Sequence, residues 1–246
     1  MIRKIKRAIA KKRNFKSQYQ QLINLEKTTN KRFKLDPSDF FPCLDDNTST
    51  TYFERHYVYH PAWALRLIIK QKPVKHIDIS SSLYFCAALS AIIPVDFYDY
   101  RPANLHLSGL KSLQGDLMNL PFDSNSVDSI SCMHTVEHIG LGRYGDPMDY
   151  DGDIKAINEL KRVVTPGGNL YFVTPIGSED IICFNAHRIY TKELVLKLFS
   201  DFELKEFALI PEDENDGGIV VDPDQQLLAR QSWGCGCFWF TKKINS

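Results

Sequence analysis

Three histidines in this chain, His134, His138 and His187, lie beside segments whose patterning predicts strand ends and loops. Imidazole ionises near neutrality, so a histidine held next to a bound hydroxyl can take its proton at physiological pH. His134 and His138 are four residues apart and face the same way if the intervening residues make a helical turn. Each also has a plainer role open to it: His138 packing its loop, His134 as a hydrogen-bonded structural residue. A second set is acidic. Asp78, Asp99 and Asp116 each sit at or just beyond the end of a short apolar run. Asp99 follows Asp78 by 21 residues, and an acid about 20 residues past a first strand suits a ribose, because a carboxylate accepts from both hydroxyls. Taken singly, any one of these acids equally suits a turn or a helix cap.

The elements that would position these groups are short and alternate in type. Val74–Ile79, Val95–Tyr98, Leu110–Gln114, Val127–Met133 and Asn169–Val173 read as strands, and Phe202–Leu209 and Gly236–Thr241 as two more. Pro61 suits a helix first turn that Ala62–Gln71 continues, and Leu83–Ala91 is a second helix. Ile154, Ile157, Leu160, Val163 and Val164 follow helical spacing up to Pro166-Gly167-Gly168, which ends that helix, and Thr191–Ser200 is another. Strands alternating with helices predict a mostly parallel sheet covered on both faces. In such sheets ligands bind beyond the carboxyl ends of the strands, where the acids and histidines collect. Pro211–Asp224, acidic and glycine-rich, reads as a loop.

Composition narrows the class. The chain has 246 residues, 43% of them hydrophobic, enough for one large α/β domain with extensions. No apolar run approaches the roughly 18 residues of a membrane span, and the N-terminus lacks the apolar stretch of a secretory signal. The six cysteines are scattered and read as reduced thiols of a cytoplasmic protein. Zero net charge conceals a division: residues 1–34 hold twelve Lys/Arg and one acid, the remainder 18 and 29. Ile2, Ile5 and Ile9 share a helical face ringed by Arg3, Lys4, Lys6, Arg7, Lys11 and Lys12. Such an arm suits an anionic lipid surface or an acidic partner, or simply a solvated helix; nucleic acid is the weakest reading beside an acidic body. Residues 1–34 are thus a basic arm, 35–60 an irregular lead-in, and 61–246 the main domain.

The stretch from Gly115 to Pro175 carries a resemblance. Gly115-Asp116-Leu117-Met118-Asn119-Leu120-Pro121-Phe122 is followed by the strand Val127–Met133, by Glu137-His138-Ile139-Gly140, and by Glu159–Thr165 running into Pro166-Gly167-Gly168. This resembles the second half of a class I S-adenosylmethionine-dependent methyltransferase of the small-molecule type. The resemblance implies a Rossmann-like α/β fold with a seven-stranded, mostly parallel sheet and helices on both faces. It implies S-adenosylmethionine as cofactor, with S-adenosylhomocysteine as product. Asp99 would hold the ribose, Asp116 the adenine amino group, and Leu117 the wall of the adenine pocket. Asp78, Ser80, Ser81 and His134 would lie beside the methionine part. The loop Glu137–Tyr150 and the segment Phe184-Asn185-Ala186-His187-Arg188-Ile189-Tyr190 are similar to a little-characterised methyltransferase-like branch often met among bacterial surface-glycan genes. That similarity covers roughly residues 50–241 and lends fold and cofactor rather than a substrate; a small polar acceptor, a sugar or glycan intermediate, is the expectation set beside it. His138 or His134 would be the base, with His187 a third candidate. Tyr144, Asp146, His187 and Arg188 would contact the acceptor, although 184–190 also reads as the entry to the next helix.

Where that family's first loop carries glycines, this chain has Asp78-Ile79-Ser80-Ser81-Ser82-Leu83. Serine lacks glycine's ease at positive φ, though its hydroxyl offers a donor to the methionine carboxylate. The loss also argues against a nicotinamide dinucleotide, whose pyrophosphate needs close backbone approach. It leaves a second reading: a binding or scaffold module on the same fold, docked through the basic arm. No metal site is expected. Asp146, Asp149, Asp151 and Asp153 with His138 could hold a divalent ion, but acids ahead of a helix more often favour its N-terminal dipole. Cys235-Gly236-Cys237, in an aromatic strand without a second pair, reads as packing.

Overall fold

The computed structural model describes residues 2–244; the side chain of Ile2, expected on the face shared by Ile5 and Ile9, lies outside the described part. The chain divides into two compact units, residues 1–53 and 54–246. The first is built on helix α1 (Ile2–Glu26). Phe40 returns against it, edge-on to Phe15 at 5.1 Å and to Tyr19 at 4.6 Å, and Lys11 pairs with Asp45. Ile5 and Ile9 stand about half exposed. No helix among the described residues is long and apolar enough to cross a membrane.

The second unit opens with α2 (Arg55–Gln71), which starts six residues earlier than Pro61 predicts and carries that proline inside it. The buried stripe explains the difference. It begins with His56 and His60, four apart, before Trp63, Ala64, Leu67 and Ile68 continue it. Two histidines read as polar in sequence serve here as the first turns of a buried face. Then follow β1 (His76–Ile79), α3 (Leu83–Ser90), β2 (Val95–Asp99), β3 (Leu110–Gln114), β4 (Val127–Met133), α4 (Gly152–Val163) and β5 (Val164–Ile176). A hairpin of β6 (Ile181–Cys183) and β7 (His187–Ile189) precedes α5 (Lys192–Leu198) and β8 (Phe202–Ile210). The short β9 (Val220–Val221), α6 (Gln225–Ala229) and β10 (Gly234–Lys242) complete the unit.

The sheet runs β3-β2-β1-β4-β5-β10-β8-β9. The pairings from β3 to β5 are parallel, whereas β10 lies antiparallel between β5 and β8. The expected seven strands are therefore joined by an eighth, because Val220 and Val221 in the predicted 211–224 loop pair with Leu209 and Ala208. The α4 helix ends at Val163, before the proline-glycine run rather than at it. Val127 pairs with Val164 and Ser129 with Asn169, so Pro166-Gly167-Gly168 is looped out of the ladder, with Gly167 at φ +83°. Alternation along the strands fills two cores, one per face. Leu170, Phe172, Phe207, Phe238 and Phe240 meet α4 and α5. Tyr171, Val173, Ala208, Cys235 and Cys237 meet α2 and α3.

Candidate active site

The switch from β1 to α3 is tied by a buried polar chain. Asp78 is fully buried, accepts the Ser81 backbone N–H at 3.0 Å and also accepts the Ser131 hydroxyl. With its proton spent on Asp78, Ser131 takes the His76 Nε2–H at 2.8 Å, and His76 Nδ1 accepts from Ser129 at 2.8 Å. Burial pushes the Asp78 carboxyl up to about 6 and His76 down to about 3. Asp78 is thus turned into the sheet, away from the role beside the methionine that the resemblance implied. It shapes the serine turn. Ser80 adopts φ +54° and directs both its N–H (2.8 Å) and its hydroxyl (3.2 Å) to the Tyr98 carbonyl. The Ser81 hydroxyl accepts from the Met133 N–H at 3.1 Å. The serines therefore hold, through hydrogen bonds to neighbouring strands, a left-handed turn of the kind glycine adopts without strain. The same bonds engage the Ser80 proton that the sequence reading offered to a ligand.

Beyond the carboxyl ends of β1, β2 and β4 lies a cavity of ≈ 710 Å³, inside the roughly 300–1,000 Å³ span of small-molecule sites. Ser80, Ser81, Asp99, Asp116 and Leu117 line one side. Asp99 and Asp116 each use Oδ1 to close their own turn, accepting from Arg101 N at 2.7 Å and Met118 N at 2.8 Å. Gly115, between strand and acid, packs closely on Tyr98: a Cβ there would stand 3.1 Å from the Tyr98 side chain.

His134, Glu137, His138, Tyr144, Asp146 and His187 line the other side. His138 sits at the end of a 3-10 turn, with Nδ1 2.6 Å from the Ala186 carbonyl oxygen. A carbonyl only accepts, so Nδ1 carries the proton and Nε2 keeps a lone pair. Glu137 Oε1 lies 3.9 Å from that Nε2 and 2.9 Å from His134 Nδ1. The β6–β7 hairpin presents His187, whose ring meets His138 at 6.4 Å and Trp233 at 6.1 Å; burial lowers its pKa, with Glu137 acting the other way. Arg101 and Arg143 lie over the Tyr144 ring at 4.7 and 5.1 Å.

Two expected substrate contacts have other duties. Arg188 is buried and donates to the carbonyls of Ile139 (2.7 Å), Asp149 (3.4 Å) and Tyr150 (3.0 Å), with Asp153 3.5 Å away. It staples the loop between β4 and α4 and is not part of the cavity wall, contrary to its predicted role. Asp146 does line the cavity, but it accepts the N–H groups of Gly140, Gly142 and Tyr144. Burial raises its carboxyl and these bonds outweigh it, holding the group below its usual range. Asp149 pairs with Lys155, and Asp153 accepts from Tyr190 at 3.0 Å, so these acids are shared out around the loop. Sequence reasoning gave no site role to Glu137, Trp233 or Arg143, and placed His56 and Tyr57 only within an irregular lead-in packed on the domain; all five line the cavity. For the two α2 residues, the i, i+4 histidine pair ahead of Trp63 was the available signal.

Solved structures that share this architecture include methyltransferases. The N-methyltransferase NodS of Bradyrhizobium japonicum, in complex with S-adenosylhomocysteine, superposes with a TM-score of 0.54 at 15% identity, over 82% of this chain and 91% of that one. The 1,6-didemethyltoxoflavin-N1-methyltransferase of Burkholderia thailandensis, with its substrate and S-adenosylhomocysteine bound, gives 0.55 at 9% identity, over 75% and 79%. The MccD protein gives 0.52 at 14% identity, over 74% and 96%. The fold is that of the class I methyltransferases. A family model described as Caenorhabditis protein of unknown function, DUF268, matches residues 117–215. An uncharacterized protein of Methanocaldococcus jannaschii is 26% identical over 103 residues, 41% of this chain and 39% of that protein's length.

Proposed function

We propose that this chain binds S-adenosylmethionine in the cavity beyond β1, β2 and β4 and directs its methyl group to a small polar acceptor, a sugar or glycan intermediate by class. The carrying observation is the meeting, in one cavity, of Asp99 and Asp116 with a histidine whose basic nitrogen is left available by the Ala186 contact. The residues fit the cofactor: both carboxylates border the cavity, and Ser80 takes the left-handed conformation that lets the turn stand where a glycine loop would. Asp99 would accept from the ribose hydroxyls and Asp116 from the adenine amino group. When bound, the cofactor supplies a methyl group already activated on a sulfonium. The chain's own task is then alignment, exclusion of water and removal of one proton. His138 Nε2 would receive the acceptor's proton, facing the Glu137 carboxylate that balances the resulting charge. His187 and Tyr144 flank His138 and would orient the acceptor.

Calorimetry with S-adenosylhomocysteine tests the reading. Saturable heat with one site per chain, weakened by Asp99→Ala, supports it. No heat and no thermal shift would leave the scaffold module, docked through residues 1–34, as the better account of this fold.

A further inference from the structure

We infer that His56, His134 and Cys235 form a metal site suited to zinc. One ligand atom from each residue lies within 4.8 Å of those of the other two. They come from α2, the end of β4 and the start of β10, three segments far apart in sequence. His134 Nε2 stands 3.4 Å from Cys235 Sγ. Tetrahedral zinc with bonds of about 2.1 Å to nitrogen and 2.3 Å to sulfur sets those atoms roughly 3.5 Å apart. The His56 ring stacks parallel to that of His134 at 5.5 Å.

Three further observations point to a cation. Glu137 accepts from His134 Nδ1 at 2.9 Å, so in the neutral ring the Nε2 lone pair is the one set against Cys235; a carboxylate behind a histidine is the usual outer support of a zinc ligand. The second oxygen of Glu137 is buried without a hydrogen-bond partner among the described residues. So are both ring nitrogens of His60, packed edge-on to His134 at 5.1 Å. A buried carboxylate so placed calls for a compensating charge. Zn²⁺ with one thiolate and one carboxylate sums to zero, and binding would release the Cys235 proton. The donor set of two imidazoles and a thiol favours zinc over the hard cations that take oxygen ligands. Three protein ligands leave one tetrahedral position. His56 and His134 both line the cavity, so that position opens there, to water or to a hydroxyl or thiol of a bound molecule.

The site is testable without turnover and independently of any cofactor. The full-length chain, stripped with a chelator, is titrated with Zn²⁺ alone and its bound metal measured after dialysis. One ion per chain is expected, lost in Cys235→Ser and in His56→Ala but kept in Cys43→Ser, which removes an exposed thiol of the first unit. Glu137→Gln should weaken zinc binding about 10–100-fold. Loading with Co²⁺ should give thiolate-to-metal absorption that Cys235→Ser abolishes. Cys235→Ser is nearly isosteric, so near-ultraviolet circular dichroism of the metal-free proteins separates loss of a ligand from loss of fold. Wild-type protein that retains no zinc, or a Cys235→Ser variant that binds as much zinc as wild type, overturns the inference.

Discussion

His138 Nδ1 lies 2.6 Å from the carbonyl oxygen of Ala186, so the hairpin between β6 and β7 fixes the tautomer of a residue on the loop after β4. The relation is directional: in the neutral ring the proton is held on the hairpin side and the lone pair is left at Nε2, 3.9 Å from Glu137 Oε1. Replacing His138 with Gln keeps a donor for Ala186 but removes the base. On the proposed reading, kcat should fall by roughly 10²–10⁴-fold, while calorimetric affinity for S-adenosylhomocysteine stays close to wild type. A variant that keeps its turnover would transfer the proton-accepting role elsewhere in the cavity.

Asp99 should act on affinity instead. Its Oδ1 is engaged with Arg101 N, which positions the carboxylate at the end of β2. Hydrogen bonds to a charged group contribute about 1.5–3 kcal/mol each. Asp99→Ala loses two such bonds and should raise the Kd for S-adenosylhomocysteine by roughly 10²–10⁴-fold with little change in thermal stability. Titration calorimetry paired with a melting curve reads both quantities on one sample.

Arg188 predicts the opposite pattern. Its guanidinium satisfies three loop carbonyls at a buried position. Lysine has neither the planar fork nor enough donors in that geometry. Arg188→Lys should cost about 3 kcal/mol, lowering Tm by roughly 6–12 °C for a domain of this size. Any change in KM should track the loosened loop, and a variant with normal Tm and a selective rise in KM would restore the substrate-contact role.

The cavity was legible because parallel α/β order forces strand ends to one edge. That rule alone brings Asp99, Asp116, His134 and His138 to one cavity from segments read separately. What failed to show depends on partners across strands. Asp78 turns inward to the hydroxyl of Ser131 on the neighbouring strand, which His76 holds from its other side, and nothing in the local sequence records that pairing. Arg188 looks like a substrate clamp until the carbonyls of Ile139, Asp149 and Tyr150 are seen to converge on it. The start of α2 was misplaced because His56 and His60 count as polar, although both are buried. The two-residue β9 is too short to carry a period of its own. Cys235 reads as a packing residue within its strand, and only the fold sets it beside His134.

The His76–Ser131–Asp78 chain makes a prediction about pH whose sign can be worked out. Burial lowers His76 from 6.5 to about 3 and raises Asp78 from 3.8 to about 6. Between pH 4 and 6 the folded protein keeps His76 neutral and Asp78 protonated, whereas the unfolded chain has His76 charged and Asp78 ionised. Unfolding in that window takes up one proton at His76 and releases one at Asp78, so their contributions to the pH slope cancel. Asp78→Asn removes the release. Relative to wild type, its stability should fall as pH drops from 6 to 4, by about 1.4 kcal/mol per pH unit. His76→Gln removes the uptake, and its stability relative to wild type should rise over the same interval with a similar slope. Urea unfolding free energies of the three proteins at pH 4.5 and 5.5 measure both differences, with every other titrating group common to all. Two variants that shift in the same direction on acidification would show that the charges in this chain are not arranged as described.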